Sequence, residues 1–357
     1  MTRIAIIADP HIHPFASFAT LDADGQNSWV AQSLNVLAAI YSECKGRSVD
    51  RIYIAGDLFN VGSRLHTNYW NDVYRFFKLH GKVIPTTIIA GNHDQIKNGS
   101  KETLLEGFDQ LVEVITSPTR VALPDDIIIQ LIPYTEDIEQ LRVCLWPSSS
   151  VKRQIVIGHL ALAGAKVGRF EYVPEGSVPV DLFAGWDEVY LGHYHTHQII
   201  DPKYMYVGSM TSLDFGDADQ TKGFVIVELA AGDKPFARTT FIPMPSTRFV
   251  IIEDTPEHPQ VRDTVDAASV SEAIVRYDYK GQISEDAVRA YLMGLGARAV
   301  TFKTLNSTAS EVRVVVPNGE DREPTTEEYM AAYVQSQAAE GLDKERLMAV
   351  GKVLVAG

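Results

Sequence analysis

The chain has 357 residues, 45% hydrophobic and 22% charged, so it has ample material for a core and falls outside the collagen-like, disordered and disulfide-scaffold classes. By length it forms one large domain or two unequal ones. Its net charge is −14, from 32 Lys plus Arg against 46 Asp plus Glu, which counts against nucleic acid unless bound metal ions supply local positive charge.

The first two-thirds repeats one pattern: a short apolar run, then a glycine or an acid, then a polar cluster. Residues 3–8 run into Asp9-Pro10-His11, and 51–55 into Gly56-Asp57. Residues 85–90 run into Gly91-Asn92-His93-Asp94, 154–157 into Gly158-His159, and 188–191 into Gly192-His193-Tyr194-His195. Short continuous apolar runs ending at glycine read as buried strands. Between them, Trp29, Leu34, Leu37 and Ile40 fit one helix face, as do Trp70, Val73, Phe76 and Phe77. Strand, helix and strand in series predict an α/β protein whose polar clusters sit on loops at strand C-terminal ends and converge in space.

The character changes after about residue 245, where Pro243, Pro245 and Ser246 form a break and a polar stretch follows at 254–259. Strand-like 274–279, helix-like 284–293 and strand-like 299–303 and 311–316 predict a small second α/β unit, in which His258 is the one histidine. A linker at 318–324 leads to a helical tail. There Thr325 and Glu328 have capping-box spacing, and Tyr329, Met330, Tyr333 and Val334 mark an apolar face. Asp343 is placed to cap a further short helix. The expected division is 1–245, 246–318 and 319–357. No apolar run is as long as a membrane span, and the start lacks signal-peptide features, so no membrane role is expected. Cys44 and Cys144 make no disulfide framework and no cysteine zinc site, which sets a reducing, cytoplasmic location as the default.

Seven of the ten histidines lie in or beside the strand-end clusters, with Asp9, Asp57 and Asn92. A hydrolytic two-metal site needs this mixture: carboxylate and amide oxygens suit hard cations, and imidazoles raise affinity for transition metals. One carboxylate must also reach both ions, roughly 3.5–4 Å apart, and Asp57 is the candidate bridge. Asp9 with His11, and His193 with His195, share an i, i+2 spacing that turns both side chains out of a single loop. Taken singly, Gly56-Asp57 reads as a turn, Asp9-x-His11 as a loop acid beside a surface histidine, and Gly158-His159 as a hydrogen-bonded loop. Their joint occurrence on successive strand ends is what makes a metal centre the better reading.

In this order the clusters resemble the calcineurin-like metallophosphoesterases, over roughly residues 3–230. The resemblance implies a sandwich of two mixed sheets flanked by helices. It also implies one divalent ion held by Asp9, His11, Asp57 and His195 and a second held by Asp57, Asn92, His159 and His193. Manganese is favoured by the donor set, with magnesium as the alternative. Within the superfamily, Tyr206-Val207-Gly208-Ser209, Asp214-Phe215-Gly216-Asp217 and Lys222-Gly223-Phe224 are similar to the SbcD-type nuclease subunits of double-strand-break repair, including phage-encoded versions. Asp9-Pro10-His11 and Gly56-Asp57-Leu58-Phe59 share that likeness.

The SbcD-type likeness implies metal-assisted hydrolysis of a DNA phosphodiester, as an exonuclease or endonuclease, together with an SbcC-type ATPase. Residues 246–318 would cap the DNA site, the 319–357 tail would bind the ATPase, and a homodimer is expected. His93, which has no ligand role in the family pattern, is the candidate for protonating the leaving oxygen. Many members carry a histidine after the Gly-Asp-Leu-Phe run, where this chain has Asn60, which cannot act as a general acid. A small-molecule phosphodiesterase and a non-catalytic scaffold are the alternatives, and the scaffold reading is the weaker because no ligand position is empty. The remaining candidates read as bland: His13 and His197 as neighbours of ligands, and His66, His80 and Arg64 as surface residues. Phe15 and Phe18 read as loop packing or a channel wall.

Overall fold

The computed structural model describes residues 2–305 apart from 15–16, 24, 61–66, 98–99, 101, 168–177, 230–234 and 255–264. The expected strand at 311–316, the 318–324 linker, the helical tail, Phe15, Arg64, His66 and His258 lie outside the described residues.

Two six-stranded sheets dominate. The first runs β12 (Thr239–Pro243), β11 (Gly223–Leu229), β1 (Thr2–Ile7), β2 (Arg51–Ala55), β3 (Thr86–Ile89) and β4 (Glu113–Ile115). Strands β1 to β4 are parallel, and β11 and β12 join antiparallel on the far side of β1. The second sheet runs β5 (Thr119–Leu123), β6 (Ile127–Ile132), β7 (Arg153–His159), β8 (Glu188–Gly192), β10 (Tyr204–Tyr206) and β9 (Gln198–Asp201). Its four middle strands are parallel and its two edge strands antiparallel. This is the mixed α/β sandwich that the family resemblance implied.

The uninterrupted apolar runs follow from burial on both faces. Along β1, Ile4 and Ile6 enter a core shared with Ile129, Leu131, Ile155 and Ile157 of the second sheet, whereas Ala5 and Ile7 enter the core under the helices. In β2, Tyr53 and Ala55 face the first of these cores and Ile52 and Ile54 the other. Helices α1 (Ser28–Gly46) and α2 (Thr67–His80) close that outer face through Leu37, Ile40, Val73 and Phe77. Each such side chain contributes on the order of 1.5–3 kcal/mol by leaving water. Asn27 caps α1, its Oδ1 accepting from the backbone N–H groups of Trp29 and Val30 at 2.9 and 3.1 Å. On the outer face of the second sheet, Leu141 of α3 (Ile138–Cys144) packs with Trp186 and Phe183 over Val156, Val189 and Leu191.

Beyond the sandwich, β13 (Phe249–Asp254), β14 (Ile274–Tyr279) and β15 (Ala299–Thr304) pair in that order, with α4 (Ala267–Val270) and α5 (Glu285–Gly294) in the connections. The described residues divide into two units, one within 2–251 with 266–276 and 292–300, the other of 252–254, 265, 277–291 and 301–305. Among the described residues no helix is long and apolar enough to cross a membrane.

Candidate metal centre

Five strand ends feed one site within the first of these units. β1 leads to Asp9 and His11, β2 to Asp57, β3 to Asn92 and His93, and β8 to His193 and His195; β7 ends on His159 itself. Close approach explains the glycines: a Cβ on Gly56 would collide with the His159 imidazole, and one on Gly91 with the Asp57 carboxylate. The backbone is strained here as well. Asp9, His11, Asp57 and His193 have φ of 50°, 42°, 53° and 102°, a region that side-chain-bearing residues adopt at a cost of about 1–3 kcal/mol each. The surrounding network holds that strain in place. His11 N donates to Asp57 O at 2.9 Å, His193 N to the Asp9 carboxylate at 2.9 and 3.1 Å, and His93 N to Asp57 Oδ1 at 2.9 Å.

The side chains make two clusters with Asp57 between them. Asp57 Oδ2 lies 3.4 Å from His11 Nε2 on one side and 3.2 Å from His159 Nε2 on the other. In the first cluster His11 Nε2 and His195 Nε2 are 3.1 Å apart, and ligand atoms of Asp9, His11 and His195 all lie within 4.8 Å of one another. In the second, Asn92 Oδ1 is 3.0 Å from His159 Nε2 and 3.1 Å from His193 Nδ1, and those two nitrogens are 3.3 Å apart. His93 also brings a ring nitrogen within 4.8 Å of ligand atoms on His11 and Asp57.

This donor set fits divalent ions. His159 Nδ1 donates to the Ala55 carbonyl at 2.9 Å, which turns its Nε2 lone pair toward Asp57 Oδ2 and Asn92 Oδ1, both acceptors. Lone pairs aimed at one another at such distances repel unless a cation or a proton lies between them. Ligands about 2.1 Å from a six-coordinate ion sit ~3.0 Å apart along an octahedral edge, close to the separations here.

Without an ion the proton takes that place. Burial would lower the His159 pKa, but the Asp57 charge and hydrogen bond, with Asp9, raise it to about 9. Burial would raise Asp57, yet His159, His11 and His93 hold it well below the usual carboxylate range. Asp9 is pushed up to about 7, mainly by burial, with Asp57 adding to the rise and His159 opposing it. Burial keeps His11 and His195 low and takes His193 down to about 3, so these imidazoles are neutral and ready to coordinate.

Three supporting groups had no assigned role from sequence. Fully buried Asp94 accepts from Gly91 N at 2.9 Å and Phe59 N at 3.0 Å, tying the Asn92 loop to the Asp57 loop. Buried Lys222 donates to the His195 carbonyl at 2.8 Å, to Asp217 at 2.6 Å and to Gln220 at 2.9 Å, so the Asp214–Lys222 segment orients the second histidine of the Gly192 loop. The Tyr134 ring stacks on His193 with centroids 5.7 Å apart. Asp94 belongs to the Gly91 cluster, and Asp217 and Lys222 to the motifs between Asp214 and Phe224, so their positions were visible in sequence; Tyr134 carries no such signal.

The Asn60 carbonyl meets His93 Nδ1 at 2.5 Å, so this position orients His93 through its backbone. His13 meets the His11 carbonyl at 2.6 Å, and His197 meets the Tyr206 and Val207 carbonyls and stacks on Phe241. His80 stacks on Phe76 and is half-buried, so it is less a surface residue than its helical spacing suggested. Phe18 packs beside Trp29 and Phe249. Cys44 is buried and free, its thiol pushed up to about 12 by burial.

Among known proteins, the SbcD subunit of the nuclease SbcCD of Staphylococcus epidermidis is 28% identical over 228 residues, which cover 56% of this chain and 60% of that protein. The protein 244L of Invertebrate iridescent virus 6, described as a phosphoesterase, is 22% identical over 267 residues, covering 70% and 86%. Another viral protein so described, 078R of Invertebrate iridescent virus 3, is 23% identical over 220 residues, and there too the chain spans 60% of the relative's length. Among solved structures, a dimetal phosphatase from Danio rerio aligns with a TM-score of 0.42 and 10% identity over 68% of this chain and 96% of its own. The model of the Calcineurin-like phosphoesterase family matches residues 2–198, a span that runs from β1 past His195 and takes in every strand end of the centre. More than half of the chain is thereby matched, and it belongs to the calcineurin-like phosphoesterases.

Proposed function

We propose that this chain is the two-metal nuclease subunit of a DNA repair or recombination complex, hydrolysing phosphodiester bonds at DNA ends with an SbcC-type ATPase. The observation that carries the two-ion part is Asp57 Oδ2, 3.4 Å from His11 and 3.2 Å from His159, facing both clusters with one oxygen. Asp9, His11, Asp57 and His195 hold one ion, and Asp57, Asn92, His159 and His193 the other. Mixed imidazole and oxygen donors favour manganese, with magnesium next. The nuclease part is supported by likeness to the staphylococcal SbcD protein and by the motifs from Tyr206 to Phe224.

Bound ions supply charge neutralisation on the non-bridging phosphate oxygens and a lowered pKa for the attacking water. The chain's own residues do the rest. Asp57 sets the spacing of the two clusters, and the backbone N–H of His93 fixes the Asp57 carboxylate. His93, oriented through Nδ1 by the Asn60 carbonyl, presents Nε2 to the leaving oxygen and protonates it. Residues 246–318 cap the DNA and 319–357 bind the ATPase, in a cytoplasmic homodimer. The net charge of −14 is then offset where DNA binds by the ions and the partner, so DNA binding by this chain alone is weak and strongly salt-dependent.

The test is cleavage of end-labelled duplex and single-stranded DNA in manganese, set beside hydrolysis of bis(p-nitrophenyl) phosphate. Cutting of DNA that is lost in Asp57→Ala supports the reading. Hydrolysis of the small diester with DNA left intact, even when the ATPase is added, overturns it in favour of a small-molecule phosphodiesterase. Likeness to the viral proteins described as phosphoesterases favours that second reading.

A further inference from the structure

A cavity of about 310 Å³ opens at the C-terminal ends of β4 and β6, beside the metal centre. Its wall toward the centre is Tyr134, whose ring stacks on His193 at 28° and meets His159 edge-on with centroids 6.2 Å apart. Tyr134 is firmly held. Its N–H donates to the Ala90 carbonyl at 2.9 Å, its hydroxyl to Glu136 Oε1 at 2.5 Å, and its carbonyl accepts from Gln95 Nε2 at 3.3 Å. Away from that ring the lining mixes polar residues, among them Thr116 and Gln140, with Pro118 and Pro133. Glu136 and Asp137 stand exposed at the cavity.

Each feature narrows the occupant. A fixed aromatic ring, with Gln140 and Thr116 to meet a heterocycle's edge and two prolines to pack on it, suits a nucleobase. Two carboxylates disfavour a phosphate inside, so the phosphate stays at the ions and the uncharged part of the substrate enters. The volume lies at the low end of the ~300–1,000 Å³ of small-molecule sites, enough for one base and too little for a stacked base pair. We propose that this cavity takes the base adjoining the scissile phosphate, unpaired and lying against Tyr134, which makes frayed or single-stranded DNA ends the preferred substrate. The inference rests on the two-ion reading of the neighbouring centre.

The experiment measures equilibrium binding of deoxyribose 5-phosphate and of thymidine 5′-monophosphate to the full manganese-loaded chain by calorimetry. The readout is the ratio of the two dissociation constants, which isolates the base. One base–aromatic stack predicts tighter thymidine 5′-monophosphate binding by roughly 5- to 150-fold. Tyr134→Ala should bring the ratio toward one. Because Tyr134 also packs on His193, Thr116→Tyr provides a second variant that fills the cavity from another wall, and it too should bring the ratio toward one.

A ratio near one in the wild type, failure of both phosphates to bind, or a wild-type ratio that survives Thr116→Tyr would overturn the proposal. DNA cutting separates this outcome from that of the nuclease reading. Cleavage with a ratio of one removes the cavity and keeps the nuclease. A large ratio that both variants abolish, with DNA left intact, keeps the base site and removes the nuclease.

Discussion

Strands β7 and β8 each start on a buried charged group and lead at the other end to a histidine, and the two ends are built on opposite principles. At the start, Arg153 Nη2 grips Glu188 at 2.8 and 2.7 Å, both side chains buried. Glu188 also accepts from Phe236 N at 2.8 Å and from the Tyr190 hydroxyl at 3.1 Å, so donors answer its acceptors. At the finish, His159 Nε2 and His193 Nδ1 crowd against Asn92 Oδ1 and each other, with Asp57 Oδ2 beside His159, and the acceptors there outnumber the protons available. Arg153, Glu188 and His159 are buried and His193 is half-buried, so burial alone does not separate the two ends. What separates a structural ion pair from a ligand site is whether the polar groups satisfy one another, and at the histidine end they do so only with a proton or a cation added.

The sharpest way to break this comparison is to remove the shared oxygen. Asp57→Ala should lower hydrolysis by at least about 10³-fold in initial-rate assays, because the charge-stabilising ions are no longer held. His93→Ala should cost about 10²- to 10⁴-fold in rate, with metal content unchanged by elemental analysis. Loss of metal in that variant would move His93 from proton donor to ligand. At the closed end, Glu188→Ala strands a buried guanidinium and should cost about 3–5 kcal/mol in denaturant unfolding, while the folded protein keeps its metal.

The open end was largely legible in the sequence, and the closed end was not. A glycine beside a metal-type residue after four of the five apolar runs marks places where backbones approach closely, as at Gly56 and Gly91, and such places can be read locally. The strand at 51–55 was expected where β2 lies, and the 85–90 run shortens to Thr86–Ile89. Pairings set by long-range contact left no local trace. Arg153 meets Glu188 across 35 positions, and β11 joins β1 across more than 200. Lys222 and Asp217 stood in a noticed motif, yet their service to His195 appears only when the Gly192 loop is folded against them.

That service sharpens the comparison, since Lys222–Asp217 is a closed pair supporting the open site. Lys222→Met should weaken ion binding on the His195 side by about 10- to 100-fold in metal titrations, the usual cost of losing a group that orients a ligand. Unchanged affinity would make the pair purely structural. The smallest expected effect is on pH dependence. The His159 proton stabilises the metal-free fold below its unfolded pKa, about 6.5, and that contribution is lost as pH rises through about 9. Asp9, raised to about 7, acts in the same direction, because its ionisation is costlier in the folded state. His11, His193 and His195, held low by burial, act the other way until the unfolded imidazoles finish titrating at about pH 7.5, so the metal-free thermal midpoint should fall by a few degrees between about pH 7.5 and about pH 9.5, where His159 alone remains. The increment gained on adding manganese should grow over that range, as protons cease to compete.

The most direct test of the two-ion centre is the manganese content of wild type and Asp57→Ala after chelation, reloading and dialysis, with electron paramagnetic resonance to read coupling between ions. The account predicts two coupled ions per chain in the wild type and neither held tightly in Asp57→Ala. One ion or none in the wild type, or two ions retained without Asp57, would contradict it.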